Sequence, residues 1–139
     1  MTDTLTSIRW IINTLKADTT VKEKVDTRVY AGLAPRGATY PLIVVSKMAA
    51  TPVRATSNGA GAFMFDELVL VTAISEGADN TVPANIINGV RTALDTKSGT
   101  ASAGVVIGCV EEMEVPLPVE ITDGVTYSKS ALEFRVYTQ

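Results

Sequence analysis

Apolar residues recur along this chain with two periods, and each period predicts a different element. Leu5, Ile8, Ile12 and Leu15 follow Asp3 and Thr4 at helical spacing, so residues from about 4 to 16 read as an amphipathic helix with a capped start. Asp18 caps a second short helix that turns Val21 and Val25 inward and Lys22, Glu23 and Lys24 to solvent. A brief strand pattern over Arg28–Leu33 stops at Ala34-Pro35-Arg36-Gly37-Ala38-Thr39-Tyr40-Pro41, where two prolines and a glycine predict a loop.

Leu42, Ile43, Val44 and Val45 form a β-rich run that is apolar on both faces. Such a strand has helices on one side and something else, such as another subunit, on the other. The stretch TPVRATSNGAGA (residues 51–62) is rich in small and turn-forming residues, and Asn58-Gly59 offers a hairpin turn, so a mobile hairpin tip is expected here. Glu67–Ile74 reads as another apolar strand. Asp79, Asn80 and Thr81 ahead of Pro83 then start a helix of about 14 residues, with Val82, Ile86, Val90 and Leu94 on its buried stripe beside Ile87 and Ala93. Gly89 within it costs up to about 1 kcal/mol relative to alanine and is expected to allow close approach to the sheet.

Thr96-Lys97-Ser98-Gly99 ends that helix. Val105–Val115 reads as a strand with Val105, Ile107, Cys109, Met113 and Val115 on one face. After a loop over Pro116–Gly124, Ser128, Ser130, Leu132, Phe134 and Val136 alternate with Lys129, Glu133, Arg135 and Tyr137, the clearest half-buried strand of the chain. The order of elements predicts one α+β domain over residues 1–139, with a mainly antiparallel (mixed) sheet of four to five strands and two main helices packed on one face.

Composition narrows the functions this fold can carry. The 139 residues fit a single domain with a sizeable core. Their hydrophobic share of 46% and mean hydropathy of +0.22 are high enough to leave apolar surface for a partner. No apolar run approaches the roughly 20 residues of a membrane span, and no cationic secretory leader is visible, so folding in the cytoplasm is expected. A net charge of −3 opposes tight binding of nucleic acid through its phosphates, which needs clustered lysine and arginine.

The chain has no histidine. That removes the commonest general base and metal ligand and every Ser-His or Cys-His nucleophile pair. Neither a P-loop nor a G-x-G-x-x-G motif is present, and Asn58-Gly59-Ala60-Gly61-Ala62 leads into Phe63-Met64-Phe65 where a phosphate cradle would open into a helix. Cys109 lies among Ile107, Gly108 and Val110, with no base beside it, and reads as a core residue.

Glu111, Glu112 and Glu114 are the one carboxylate cluster. Regular strand alternation would put Glu112 and Glu114 on one face and Glu111 on the other. Solvated strand end, acid and base pair, hard-cation site or DNA-repelling acidic surface with Glu120 and Asp123 are the readings open to it. By helical geometry Trp10 faces away from the Leu5/Ile8/Ile12/Leu15 stripe, which makes it either a subunit contact or a partner for a loop. Arg54 reads as a solvated arginine or a partner for a neighbour's carboxylate.

Three segments together resemble the tail-completion, or tail-terminator, proteins of long-tailed bacteriophages and related gene-transfer particles. They are Arg28-Val29-Tyr30-Ala31-Gly32-Leu33-Ala34-Pro35-Arg36-Gly37 leading through Tyr40-Pro41-Leu42-Ile43-Val44-Val45-Ser46, the helix after Asp79, and the closing strand Tyr127–Tyr137 with Leu132-Glu133-Phe134-Arg135-Val136. The resemblance implies a non-enzymatic virion protein without cofactor or metal. It implies a hexameric homo-oligomer, a ring that ends the tail tube at the head-proximal end of the tail and contacts the tail tube protein and the head-tail connector, with DNA passing only passively through its lumen. Under it, Trp10, Pro35, Arg36, Tyr40, Val53, Arg54 and Asn58 are candidate subunit or tube contacts, and Glu112, Glu114, Glu120 and Asp123 a candidate acidic lumen surface. A head-completion ring protein of the same particle is the nearest alternative, and a small divalent-cation-dependent enzyme or ligand-binding domain a more remote one.

Overall fold

The computed structural model describes residues 5–53, 64–101 and 104–139. The chain begins with helices α1 (Thr6–Ala17) and α2 (Thr19–Val25), followed by strands β1 (Val29–Ala31), β2 (Leu42–Val53) and β3 (Met64–Glu76). Helix α3 (Thr81–Leu94) leads to β4 (Lys97–Ala101), β5 (Gly104–Pro116), β6 (Glu120–Thr122) and β7 (Val125–Thr138). The class is α+β, as the pattern predicts, but among the described residues there are three helices and seven strands rather than two main helices and four to five strands.

All seven strands share one sheet in the order β1-β2-β3-β7-β5-β4, with β6 pairing to β7. β1 lies parallel to β2 and every other pair is antiparallel. β7 is the spine of the sheet: β3 runs along one of its edges from Glu76↔Tyr127 to Phe65↔Thr138, while β5 and then β6 share the other. The two strands that the sequence pattern missed, β4 and β6, are short and polar (Lys97-Ser98-Gly99-Thr100-Ala101 and Glu120-Ile121-Thr122), so neither carries the apolar alternation that marks a half-buried strand.

The helices occupy one side of this sheet, here called the inner face. Val69, Val71 and Ala73 of β3 and Leu132, Phe134 and Val136 of β7 point to it. They join Ile8, Ile11 and Leu15 of α1, Val21 and Val25 of α2, and Ile86, Ile87, Val90 and Leu94 of α3 in one buried cluster. Full burial of each valine, leucine, isoleucine or phenylalanine among them contributes about 1.5–3 kcal/mol relative to exposure. Helix starts follow the predicted chemistry. Asp18 Oδ1 accepts from the Val21 amide at 3.0 Å, and Asp79 Oδ1 accepts from the Thr81 amide at 2.9 Å, which also lowers the Asp79 pKa. Asp3 and Thr4, expected to cap α1, lie outside the described residues.

Four packing expectations are overturned. Trp10 is 5% exposed and belongs to the core, because the sheet curls so that α1 touches both β1 at one edge and β4 at the other. A Cβ placed on Gly99 of β4 would lie 2.5 Å from Trp10 Nε1, so this glycine makes the space the indole fills. Leu5, assigned to the buried stripe, is largely exposed. Gly89 faces Thr20 and Val21 of α2 and not the sheet, and Val82 is also exposed.

Candidate interaction surface

β-Bulges decide which side chains reach the outer face. The register of β5 against β7 shifts between Val106 and Gly108 and again between Glu111 and Met113. Each extra residue reverses the alternation beyond it. Val106 and Cys109 are therefore buried, while Val105 and Ile107 are exposed on the other side, which corrects the expectation that Val105, Ile107 and Cys109 share a face. With Val110 (46% exposed) and Met113 (54% exposed), they make an open apolar stripe along β5. Leu68 and Leu70 of β3, half-buried, continue it across the β7 spine.

The same bulge regroups the carboxylates. Glu111 and Glu114 converge, and Glu112 points away from them, the reverse of regular alternation. On the helix side Arg91 of α3 donates from Nε to Glu111 Oε1 at 2.8 Å, with its Nη2 3.6 Å from Glu114. The Glu111 amide donates to Asp95 Oδ1 at 2.9 Å, tying β5 to the end of α3. The bond to Glu111 raises the Arg91 pKa. On the outer face Arg135 donates to Glu112 through Nε and to both oxygens of Asp66 through Nη1 at 2.7 and 2.8 Å, so that β5, β7 and β3 are clasped by one guanidinium. The Glu112 bond, then the Asp66 bond, raise its pKa.

Further along β7, Lys129 donates to Glu120 of β6 and lowers its pKa. Both outer-face cations of β7 are thus engaged. Between them sits Glu133, half-buried, opposite Leu70 on β3 and Met113 on β5. Among the described residues it has no ion-pair partner.

At the other end of the outer face the loop over residues 32–41 overhangs the sheet. It encloses a groove of about 600 Å³ bordered by Pro35, Arg36 and Tyr40 and floored by Val44, Thr72 and Ile74. Arg28 Nε donates to the Pro41 carbonyl at 2.9 Å across the cis Tyr40-Pro41 peptide. The Tyr40 ring lies 5.0 Å from that of Tyr127. Burial, then the neighbouring Tyr40, raises the Tyr127 pKa.

Of the predicted contacts, Pro35, Arg36 and Tyr40 come together at this groove, Val53 is exposed at the end of β2, and Trp10 is internal. Arg54 and Asn58 lie outside the described residues, as does most of the expected hairpin tip over residues 51–62, of which Thr51–Val53 belong to β2. The four predicted acidic residues do not gather: Glu112 is on the outer face, Glu114 faces Arg91, and Glu120 and Asp123 belong to the β6–β7 hairpin. Asp66, Glu133, Arg135, Val110 and Met113 were missed. Their signal was the charged half of the β7 alternation facing the two-sided apolar run of β3, readable only once those strands are known to be neighbours.

No group of three or more histidine, cysteine, aspartate and glutamate side chains among the described residues could hold a metal ion. Burial, with Asp95 nearby, pushes the Cys109 thiol up to about 12, so it stays protonated and unreactive at neutral pH. No described helix is long and apolar enough to cross a membrane.

Comparison with known proteins supplies the rest. Residues 9–138 match the sequence model of the family described as Tail completion protein gp17. No curated protein matches the chain. Its fold is similar to that of a chain in a solved structure titled "Virion of native gene transfer agent (GTA) particle", with a TM-score of 0.63 and 18% sequence identity over 92% of this chain and 90% of that one. The class is therefore that of structural proteins of tail assembly. Within it, this chain belongs to the tail completion protein gp17 family.

Proposed function

We propose that the protein is a non-catalytic ring component, hexameric, that ends the tail tube at its head-proximal end and joins it to the head-tail connector. The observation that carries this reading is the family match over nearly the whole chain. The architecture supports it. A ring subunit must present apolar and charged surface to neighbours while its own core stays closed, and here one sheet face is sealed by helices while the other carries the β5 stripe and the Arg135 clasp. DNA crosses the lumen passively, consistent with a chain whose net charge is −3.

The test is electron microscopy of particles made from a genome with an early stop codon in this gene. Overlong tubes, or filled heads without joined tails, are expected. Tails of normal length lying free beside leaking heads would move the protein to head completion, and unchanged particles would overturn the reading.

A further inference from the structure

We propose that a second copy of this chain covers the outer face of the sheet, with the basic α1–α2 surface of one copy laid against Glu133 and the β5 apolar stripe of the next. The inference rests on the ring reading above and names the two surfaces that close the ring.

Glu133 stands mid-strand between Leu70 and Met113, with Arg135 committed to Asp66 and Glu112 and Lys129 committed to Glu120. A partner that covers Leu68, Leu70, Val110 and Met113 also strips water from this carboxylate. It must therefore bring a cation, since a buried unpaired charge is costly.

The chain itself carries such a surface. Residues 5–28, which hold α1 and α2, contain five cations against three carboxylates, a net charge of +2; on the outer face the strands bring Asp66, Glu112, Glu120 and Glu133 against Lys129 and Arg135, four carboxylates against two cations, a net charge of −2. Lys16, Lys22 and Lys24 are exposed and have no ion-pair partner among the described residues. They lie in the helical layer, on the opposite side of the sheet from Glu133.

Self-complementary pairing of two outer faces would oppose carboxylate to carboxylate. Association through this face is therefore head-to-tail, and head-to-tail contacts close into rings or run on into filaments, where a face-to-face contact stops at a dimer.

The experiment measures assembly of the full chain by native mass spectrometry and light scattering across concentration, with circular dichroism melts as the control for folding. Glu133→Lys alone and the double variant Lys22→Glu/Lys24→Glu alone should each raise the concentration of half-assembly by about tenfold or more. Mixed one to one, they should assemble within about threefold of the parent, because each interface of an alternating ring again pairs opposite charges. Glu133→Gln, which keeps the shape, should weaken assembly in the same direction and stands in for Glu133→Lys should that variant not fold. Folded variants that assemble as the parent does, or a mixture that stays apart, would overturn the inference while leaving the ring reading intact. A parent chain that remains monomeric at every concentration would overturn both.

Discussion

The two faces of the sheet are built from the same strands, one residue apart, and differ in almost everything else. On β7, Leu132, Phe134 and Val136 are fully buried beneath the helices, whereas Glu133 and Arg135 between them look outward and are half-exposed. Across β3 the same alternation puts Val69 and Val71 inside and Leu68 and Leu70 outside. The inner face is closed, apolar and served by all three helices; the outer face is open, mixes leucine with charge, and holds its ion pairs at the surface. The difference separates two tasks. Conformational stability is concentrated on one side of a single layer of backbone, which leaves the residues of the other side free to serve recognition.

The largest test of that separation is Phe134→Ala. Phe134 is among the largest fully buried side chains, with Val69 opposite on β3, so its truncation should cost about 3–5 kcal/mol. A domain of this size has a total stability of about 5–15 kcal/mol, so the variant should unfold at clearly lower denaturant concentration. A loss under about 1 kcal/mol would mean that the inner face does not carry the fold.

A second test probes how dry that face is. With the Cys109 thiol pushed up to about 12 from an ordinary 9.0, its thiolate fraction at pH 8 should fall about a thousandfold relative to the unfolded chain. Labelling by a thiol reagent should accordingly be suppressed in the native protein and prompt in denaturant. The sign of the linked stability follows. The folded state holds this proton more tightly than the unfolded one, so the contribution is complete below pH 9 and is lost as pH rises toward about 12. Rapid labelling of the native protein at pH 8 would show that solvent reaches the inner face at β5.

How far each face was legible in the sequence follows from the same geometry. Leu132, Phe134 and Val136 alternate without interruption, and Ile86, Ile87, Val90 and Leu94 keep helical spacing, so β7, α3 and the inner-face core could be read directly. Trp10 could not, because a single stripe presumes that a helix is covered from one side, and α1 is also met by Gly99 of an unrecognised strand. On β5 the expected face holds Val105, Ile107, Met113 and Val115, and fails only between the two bulges, where Cys109 turns inward: the first bulge reverses the alternation, the second restores it, and a bulge leaves no mark in composition. The outer face was the least legible because its content is pairwise. Asp66, Glu112 and Arg135 are 69 and 23 positions apart in the chain and meet only through the order β3-β7-β5.

The smallest expected effect gives the sharpest contrast. Arg135→Ala removes the clasp between three strands, yet Arg135, Asp66 and Glu112 keep roughly a quarter to a third of their side-chain surface in contact with water. Water can solvate the two released carboxylates, the attraction is screened, and a long side chain regains its freedom, so the loss should be no more than about 1 kcal/mol and should shrink further as salt is added. Set beside Phe134→Ala, one position away on the same strand, the ratio should be threefold or more by these magnitudes. If instead Arg135→Ala destabilises as much as Phe134→Ala in denaturant melts, the clasp is a structural element and the outer face shares the burden of the fold. If the loss is small and falls with ionic strength, the three charges are ordered without being needed for folding, as expected of a surface kept for another molecule.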